Sequence, residues 1–410
     1  MATNAMTSTR TQLIVRTMSI AVVFTLFVAV VFGFGLYLFA LLVPVMRQSL
    51  GFNYTAIGIV TGGAQTAYLA AALVCPRLVS RFGGGQVIVG AVVAAALLLM
   101  LFAQVQGVLS LGLVLAGLGA SAAFMMIPTV GAISETVPFG YRSRVNGLVS
   151  SGTAYGQFAN GVLVSQLLPA HGWHSIWIVA GFASLVIALV GLLALRCFAP
   201  QIFVRKALQR AARHHASGGR RRLVTRDNLT VWILLALSGM ACGPWQNYLS
   251  SFLADEQGHS LETIAQVWST IGVVGLFSGF AAGIVADKAG VRIALAFSFA
   301  ALAGSGLLIA FHSEAWQLRA AAMCFGLSFY AIYGLIPAYI SKTVAPHAAT
   351  TVFAVANVFL GLGTTLGNVL GGHFEGWFGS LKDVFITATA LACVAMTLTA
   401  ILRDEREAPV

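Results

Sequence analysis

Polar and aromatic side chains interrupt several long apolar runs of this sequence, and they are the residues best suited to bind a solute. Amide, phenol and indole groups can replace part of a molecule's hydration without opening a water-filled pore. The richest group follows Pro244, where residues 245–248 read Trp-Gln-Asn-Tyr. Pro244 lacks a backbone N–H, which predicts a break or kink that frees carbonyl groups for a cavity. The candidate solute-binding residues are Tyr37, Gln65, Gln157, Trp245, Gln246, Asn247, Tyr330, Tyr333 and Asn357.

These residues have a second interpretation, because membrane helices also pack through polar side chains and small residues. Tyr330 and Tyr333 stand three residues apart, which puts both phenols on one stripe of a helix. Gln157 and Asn357 fall on corresponding helices of the two half-sequences described below. Helix packing stays open for each residue taken singly, while the shared stripes favour solute binding for the set.

Ionisable side chains that could carry a proton are scarce in the apolar runs. A carboxylate or histidine deep in a membrane span is costly and usually functional, but the candidates here, Glu135, His373 and Glu375, stand near the ends of runs. Arg144 and Arg319 are the nearest cations for an anionic solute, and their long side chains could equally reach water. Proton coupling, exchange and uncoupled transport therefore all stay open.

Composition places the chain in a lipid bilayer. Of 410 residues, 59% are hydrophobic and only 9% are charged, and the mean hydropathy is +0.90. Soluble domains carry about 25% charged residues, so a water-soluble globule is excluded. The five cysteines show no metal-ligand spacing, and we predict neither a metal site nor a cofactor.

Twelve apolar runs are long enough to cross a bilayer whose core is about 30 Å thick. We predict an all-α membrane protein with an N-terminal six-helix lobe at 1–198, a basic linker at 199–228 and a C-terminal six-helix lobe at 229–410. The predicted spans are 17–45, 54–76, 86–106, 108–134, 144–168, 173–198, 229–254, 262–286, 291–312, 316–341, 350–374 and 380–402.

The positive charges indicate the orientation. The formal net charge of +11 would suit nucleic-acid binding in a soluble protein, but cytoplasmic loops of membrane proteins also concentrate Lys and Arg. With a cytoplasmic N-terminus, only Arg47, Arg319 and Lys382 fall in outer loops. We therefore expect both termini in the cytoplasm, a bacterial inner membrane and no nucleic-acid partner. The linker could bind a regulatory partner, although anionic lipid is the simpler explanation of its charge.

The two halves of the sequence repeat each other at an offset of 207 residues. Gly83 corresponds to Gly290, and a Ser-x-Thr-Val pattern recurs at 134–137 and 341–344. Repeats of like orientation predict two lobes related by an axis along the membrane normal, with a solute site between them. Duplication of this kind favours a transporter that works by alternating access, with a monomeric functional unit.

The loop after the eighth span carries a specific pattern. Residues 283–292 read Gly-Ile-Val-Ala-Asp-Lys-Ala-Gly-Val-Arg, which resembles the loop signature of the major facilitator superfamily. The resemblance implies the two-lobed transporter fold and a conformational latch in which Asp287 approaches the positive N-terminus of a neighbouring helix. The predicted latch residues are Arg81, Gly83, Asp287, Lys288, Gly290 and Arg292.

The corresponding loop after the second span departs from the signature. Arg81 and Gly83 match it, but Ser80 stands where the family usually has Asp, so we expect a weaker latch in the N-terminal half. A tight basic turn ending on glycine is the structural alternative for both loops. Drug-proton antiporters of this superfamily usually show Gly-Pro in the fifth span. No proline precedes Pro169 in that span here, so the antiporter motif is degenerate and uptake or exchange is favoured over drug efflux.

These features together predict a secondary or facilitative transporter of a small organic solute, with a monocarboxylate or related organic anion as the leading candidate. Multidrug or metabolite efflux by proton antiport is the alternative, since an aromatic lining also suits apolar solutes. We do not expect a membrane sensor, because the sequence shows no recognisable signalling domain. We do not expect an enzyme, because the spans contain no nucleophile–base pair or acid cluster. Proton symport stays open.

Overall fold

The computed structural model describes residues 2–51, 54–204, 224–311 and 314–406. Most of the linker's basic run falls outside these residues, and so do predictions about it. No β-strand occurs in the described ranges. The helices are α1 (Ala2–Val28, continued by Ala29–Tyr37 and Leu38–Leu50), α2 (Tyr54–Phe82), α3 (Gly84–Phe102), α4 (Val108–Thr136), α5 and α6 (together Arg142–Phe198), α7 (Arg226–Ser251), α8 (Leu261–Ala289), α9 (Val291–Phe311), α10 (Ala315–Thr343), α11 (Pro346–Phe378) and α12 (Lys382–Thr399).

Local sequence explains where several helices begin and end. Gly172 has a φ of 70° inside Arg142–Phe198 and separates α5 from α6. The Thr225 and Ser260 side chains accept hydrogen bonds from the third residue beyond them at the starts of α7 and α8, which satisfies backbone donors left open at a helix start. Gly83 and Gly290 have φ angles of 96° and 102°, a conformation that glycine adopts without strain.

Eleven stretches of the described chain are long and apolar enough to cross a membrane, from Gln12–Leu42 to Lys382–Thr399. The remaining helix, α5, carries many polar residues, such as Asn146, Ser150 and Gln157, which lower its hydropathy. The predicted all-α fold of twelve membrane helices is confirmed, and the protein is a multi-pass membrane protein.

Two helices differ from simple expectation. In α1 the segment Ala29–Tyr37 is π-helical, a local widening that often occurs at functional sites and that the sequence did not predict. By contrast, α7 continues as an α-helix through Pro244, so the span is not broken there, and a kink at this proline stays a prediction.

The chain divides into two compact units. Unit 1 comprises Met1–Tyr141, Gly152–Arg221 and Pro346–Ala354, and unit 2 comprises Arg142–Ser151, Arg222–Ala345 and Val355–Val410. Thus the first ten residues of α5 pack within unit 2, while the first nine of α11 pack within unit 1.

The 207-residue repeat of the sequence recurs in the packing of each unit. A methyl group added at Gly119 would lie 2.3 Å from the Ala64 carbonyl oxygen in unit 1, and one added at Gly326 would lie 3.0 Å from that of Ile271 in unit 2. Likewise, Gly156 packs against Ala29, and Gly363 packs against Ala236. Each of these residues in unit 1 has its counterpart in unit 2 at the offset of 207 residues: Gly119 and Gly326, Ala64 and Ile271, Gly156 and Gly363, Ala29 and Ala236. Equivalent glycines therefore let equivalent helices approach closely in both units.

Candidate functional site

Three predicted solute-binding residues belong to unit 1. Tyr37 ends the π-helical segment of α1 and is half-buried. Gln65 is exposed on α2, and Gln157 is half-buried on α5. Close to Gln157, the Asn160 amide donates a hydrogen bond of 2.7 Å to the carbonyl of Gly33, which ties α5 to the π-helical segment. A polar group therefore meets irregular backbone at this place in unit 1.

In unit 2, an aromatic cluster joins α7 to α10. The Trp245 indole is fully buried and stacks on Phe325, with ring centres 3.7 Å apart and planes tilted by only 7°. Phe325 contacts Phe329, whose ring also lies 5.1 Å from that of Tyr330 and 4.8 Å from that of Tyr333. The predicted residues Trp245, Tyr330 and Tyr333 are thus brought together through two phenylalanines that sequence reasoning had not singled out.

Amide side chains form a second polar group in unit 2, where α7 meets α11. Asn247 is exposed, and its Nδ2 donates a hydrogen bond of 3.0 Å to Oδ1 of Asn368. The Tyr248 hydroxyl donates to the main-chain oxygen of Asn368 at 2.9 Å. Gln246 is half-buried next to Asn247 in the chain. Asn357 is buried and lies nearer the N-terminal end of α11 than Asn368 does.

The predicted latch residue Asp287 occupies the start of α5. Its two carboxylate oxygens accept hydrogen bonds from the backbone N–H groups of Ser143 and Arg144 at 3.2 and 3.1 Å. The side chain is fully buried, and the Arg144 guanidinium lies 3.2 Å from it. A carboxylate at a helix N-terminus gains from both the free N–H groups and the helix dipole. The contact itself is the one expected from the loop pattern.

A buried lysine extends this charge network toward the C-terminus. Lys342 Nζ lies 3.0 Å from Asp287 and 3.9 Å from Glu405, and the Lys342 and Glu405 side chains are each only 2% exposed. Glu405 also accepts a hydrogen bond of 2.7 Å from the backbone N–H of Val291, the first residue of α9. The residues after α12 are therefore held against the loop between α8 and α9. Arg292 adds a longer bond, from its guanidinium to the Leu402 carbonyl.

The loop between α2 and α3 contains no comparable network among its described side chains. The Ser80 hydroxyl donates to the carbonyl of Arg77 in its own helix, and the exposed Arg81 lies over the Phe82 ring. Gly83 has the same backbone conformation as Gly290. The two loops therefore make the same turn, but the charge interactions of Asp287 have no counterpart among the described side chains of the loop between α2 and α3. Lys288, in the other loop, is exposed.

The remaining charged candidates have separate surroundings. His373 is exposed and its ring nitrogen lies 2.8 Å from the Val369 carbonyl in the same helix. Glu135 is half-buried near the C-terminal end of α4, while the side chain of Glu375 lies outside the described part of the structure. Arg319 donates to Gln266 at 2.9 Å on an exposed surface, and Arg144 is engaged by Asp287.

A cavity of about 330 Å³ in unit 1 is distinct from all these candidates. It is mainly apolar, and the Gln86 amide beside it donates to the Phe203 carbonyl. Its lining residues are Gln86, Val89, Gly90, Leu192, Arg196, Pro200 and Phe203.

The sequence analysis did not single out Lys342, Glu405 or the contact between Asn368 and Asn247. Lys342 follows the repeated Ser341 directly and occupies the position that corresponds to Glu135, a charge reversal that could have marked it. Glu405 offered no such signal, because charged residues are common just beyond a last membrane helix.

Comparison with known proteins gives partial sequence similarity to bacterial transporters. The 4-hydroxybenzoate transporter PcaK of Pseudomonas putida is 30% identical over 149 residues, which cover 36% of this chain and 33% of that protein. The cis,cis-muconate transport protein of Acinetobacter baylyi is 23% identical over 274 residues, which cover 64% of this chain and 65% of that protein. The matches thus span from a third to just under two thirds of the relatives' length.

Solved structures resemble the whole chain. The proton:xylose symporter XylE superposes with a TM-score of 0.74 at 12% identity, covering 96% of this chain and 97% of that one. The human organic anion transporter MFSD10 (TETRAN) gives 0.71 at 15% identity, covering 93% and 99%. At such identities the likeness shows the fold alone. The profile of the Major Facilitator Superfamily matches residues 25–368, and the chain therefore belongs to the Major Facilitator Superfamily.

Proposed function

We propose that this protein is a secondary transporter of a small organic acid, with an aromatic or unsaturated carboxylate as its substrate class. The observation that carries the proposal is the sequence similarity to relatives named for 4-hydroxybenzoate and cis,cis-muconate. Both named compounds are flat, conjugated carboxylates. A flat ring suits an aromatic wall, and a carboxylate suits amide and phenol donors.

Unit 2 supplies both kinds of surface. Phe329 and Tyr333 offer aromatic faces and are linked to Trp245 through Phe325. Gln246 and Asn247 offer amide groups on the same helix as Trp245. Tyr330, Asn357 and, in unit 1, Tyr37, Gln65 and Gln157 remain proposed contributors to solute binding.

The latch gives this transporter a way to change state. Asp287 holds the N-terminus of α5 by two backbone hydrogen bonds and the Arg144 ion pair, so we propose that these bonds break and re-form in each cycle of alternating access. Arg81, Gly83, Lys288, Gly290 and Arg292 shape the two equivalent loops. The lobes at 1–198 and 229–410, the cytoplasmic termini, the inner-membrane location and a monomeric functional unit belong to the same proposal.

Uptake into proteoliposomes tests the proposal directly. We expect saturable uptake of labelled 4-hydroxybenzoate or cis,cis-muconate, with none in protein-free liposomes. An inward pH gradient reports coupling: stimulation would indicate proton symport, with Glu135, His373 and Glu375 as the residues to substitute. If none of the acids is moved while lipophilic cations are expelled, organic-acid transport is wrong.

Efflux of apolar compounds is the second candidate function. It is favoured by the size of the aromatic cluster on α7 and α10, in which four ring contacts link five rings. Such a surface binds lipophilic cations through ring faces as readily as it binds conjugated acids. The cation arm of the uptake assay separates the two functions.

A further inference from the structure

Helices α7 and α11 approach each other along a row of glycines. A methyl group added at Gly363 would lie 2.1 Å from the Ala236 carbonyl oxygen, and one at Gly367 would lie 2.5 Å from that of Met240. At Gly371 the near neighbours are Tyr248 and Pro244. Because these glycines recur every fourth residue, the crossing is tight over two turns of α11.

This tight crossing fixes the position of Asn368. On α7, Gly243 leaves room for the Asn368 amide, since a methyl there would lie 3.3 Å from Oδ1. The same Oδ1 accepts from Asn247, and the main-chain oxygen of Asn368 accepts from Tyr248. Asn368 is therefore held from two directions by neighbours on α7.

Hydrogen-bond accounting shows that the amide pair is rich in donors. Two amide side chains carry four N–H groups and two oxygens, and the bond between Asn247 and Asn368 uses one of each. Three N–H groups and one oxygen remain, whichever amide acts as donor. Among the described residues, no protein group accepts a hydrogen bond from these three N–H groups.

The location of the pair indicates what lies in front of it. Asn247 falls within the membrane span Arg226–Leu249, and Asn368 falls within Ala348–Gly371. Asn247 is nevertheless exposed, and Asn368 is half-exposed. An amide with open hydrogen-bonding groups is costly against lipid tails, so we infer that these side chains, which lie within three residues of the ends of their spans, face water and not the lipid.

We propose that Asn368, together with Asn247, binds the carboxylate of the transported acid through neutral amide donors. This inference rests on the proposed function and deepens it: the anion is recognised without an arginine or lysine, as Arg144 is already engaged by Asp287. Hydrogen bonds to a charged acceptor are about twice as strong as neutral ones, so the ionised acid is preferred over its neutral amide.

Binding by the purified full-length protein tests the proposal, with 4-hydroxybenzoate and its neutral counterpart 4-hydroxybenzamide as probes. Asn368→Asp keeps the size of the side chain and an acceptor for Asn247 but removes the N–H donors and adds a repelling charge. Asn368→Ala removes the donors without adding charge and serves if the first variant does not fold. Thr365→Val is the matched control, because Thr365 is exposed on the same helix and its hydroxyl donates to the Gly361 carbonyl one turn earlier in that helix.

We expect the Kd of 4-hydroxybenzoate to rise about tenfold or more in both Asn368 variants. The control should bind like the wild type, and every variant should keep the wild-type melting temperature without ligand. Wild-type affinity in the Asn368 variants, or equal binding of the acid and the amide by the wild type, would overturn the inference alone. If the wild type binds and moves neither 4-hydroxybenzoate nor cis,cis-muconate, the proposed function fails and the inference falls with it.

Discussion

At the scale of single residues, a buried network of ion pairs and hydrogen bonds centres on Asp287. Its carboxylate is fully buried and meets two backbone N–H groups, the Arg144 guanidinium and the Lys342 ammonium. Removing one partner of a buried pair leaves the other charge without compensation, which costs more than the pair itself contributes. The stability of unit 2 should therefore depend on whether charges are removed singly or together.

We expect Asp287→Asn to lower the stability of the protein by about 3–5 kcal/mol, because Lys342 stays buried but loses the carboxylate that lies 3.0 Å from its Nζ. Adding Lys342→Met should restore part of the loss. Melting temperatures of the two single variants and the double variant measure this coupling. Lys288→Gln, an exposed change in the same loop, is the control and should have little effect. If the loss of stability in the double variant equals the sum of the losses in the two single variants, Asp287 and Lys342 are not coupled and the network is contradicted.

The sequence allowed prediction of some of these residues but not of others. Asp287 and Gly290 belong to a recognisable loop pattern, and the carboxylate lies at a helix N-terminus as expected. Lys342 and Glu405 stand at span ends, where most charged residues lie among lipid headgroups. Their burial depends on contacts between positions far apart in the chain, and no local pattern encodes that.

At the scale of helices, the described structure owes its close crossings to glycines that repeat in both halves. Gly156 lies so near α1 that a methyl group would stand 2.7 Å from the Ala29 carbonyl oxygen, and Gly363 meets Ala236 in the equivalent way. Backbone cannot retreat as a flexible side chain can, so these positions tolerate no larger residue.

Gly156→Ala and Gly363→Ala should each destabilise the protein by about 1–3 kcal/mol. Gly161→Ala, on the same helix as Gly156, should be neutral or stabilising, because open space surrounds Gly161 and alanine is the better helix former. Thermal unfolding in detergent measures all three. Equal destabilisation by the change at Gly161 would show that the loss comes from helix α5 itself and not from its crossing with α1.

The positions of the helices could be predicted from hydropathy, but the places where the helical backbone is irregular could not. Helix α7 is not broken at Pro244, because proline removes one backbone donor and the helix can continue beyond it. The π-helical segment Ala29–Tyr37 occurs where the sequence offers two glycines and no proline. Asn160 bonds the Gly33 carbonyl there, so this segment depends on a partner from another helix.

At the scale of the whole molecule, hydropathy predicted the twelve helices, and the sequence repeat together with the loop pattern at 283–292 predicted the family fold. They could not predict that the first ten residues of α5 pack in unit 2 while the rest of that helix packs in unit 1. Packing of this kind depends on Gly147 against Gly279 and on Ser150 bonding the Tyr330 carbonyl. We propose that transport requires this segment of α5 to leave Asp287 and return to it.

Counterflow in proteoliposomes is the most direct test of a carrier for organic acids. Vesicles are loaded with unlabelled 4-hydroxybenzoate and diluted into a trace of labelled acid without a pH gradient. A carrier that alternates between two states exchanges one for the other, so the account predicts that label rises transiently above its equilibrium level and then declines. A monotonic approach to equilibrium, or no entry beyond that in protein-free vesicles, would contradict it.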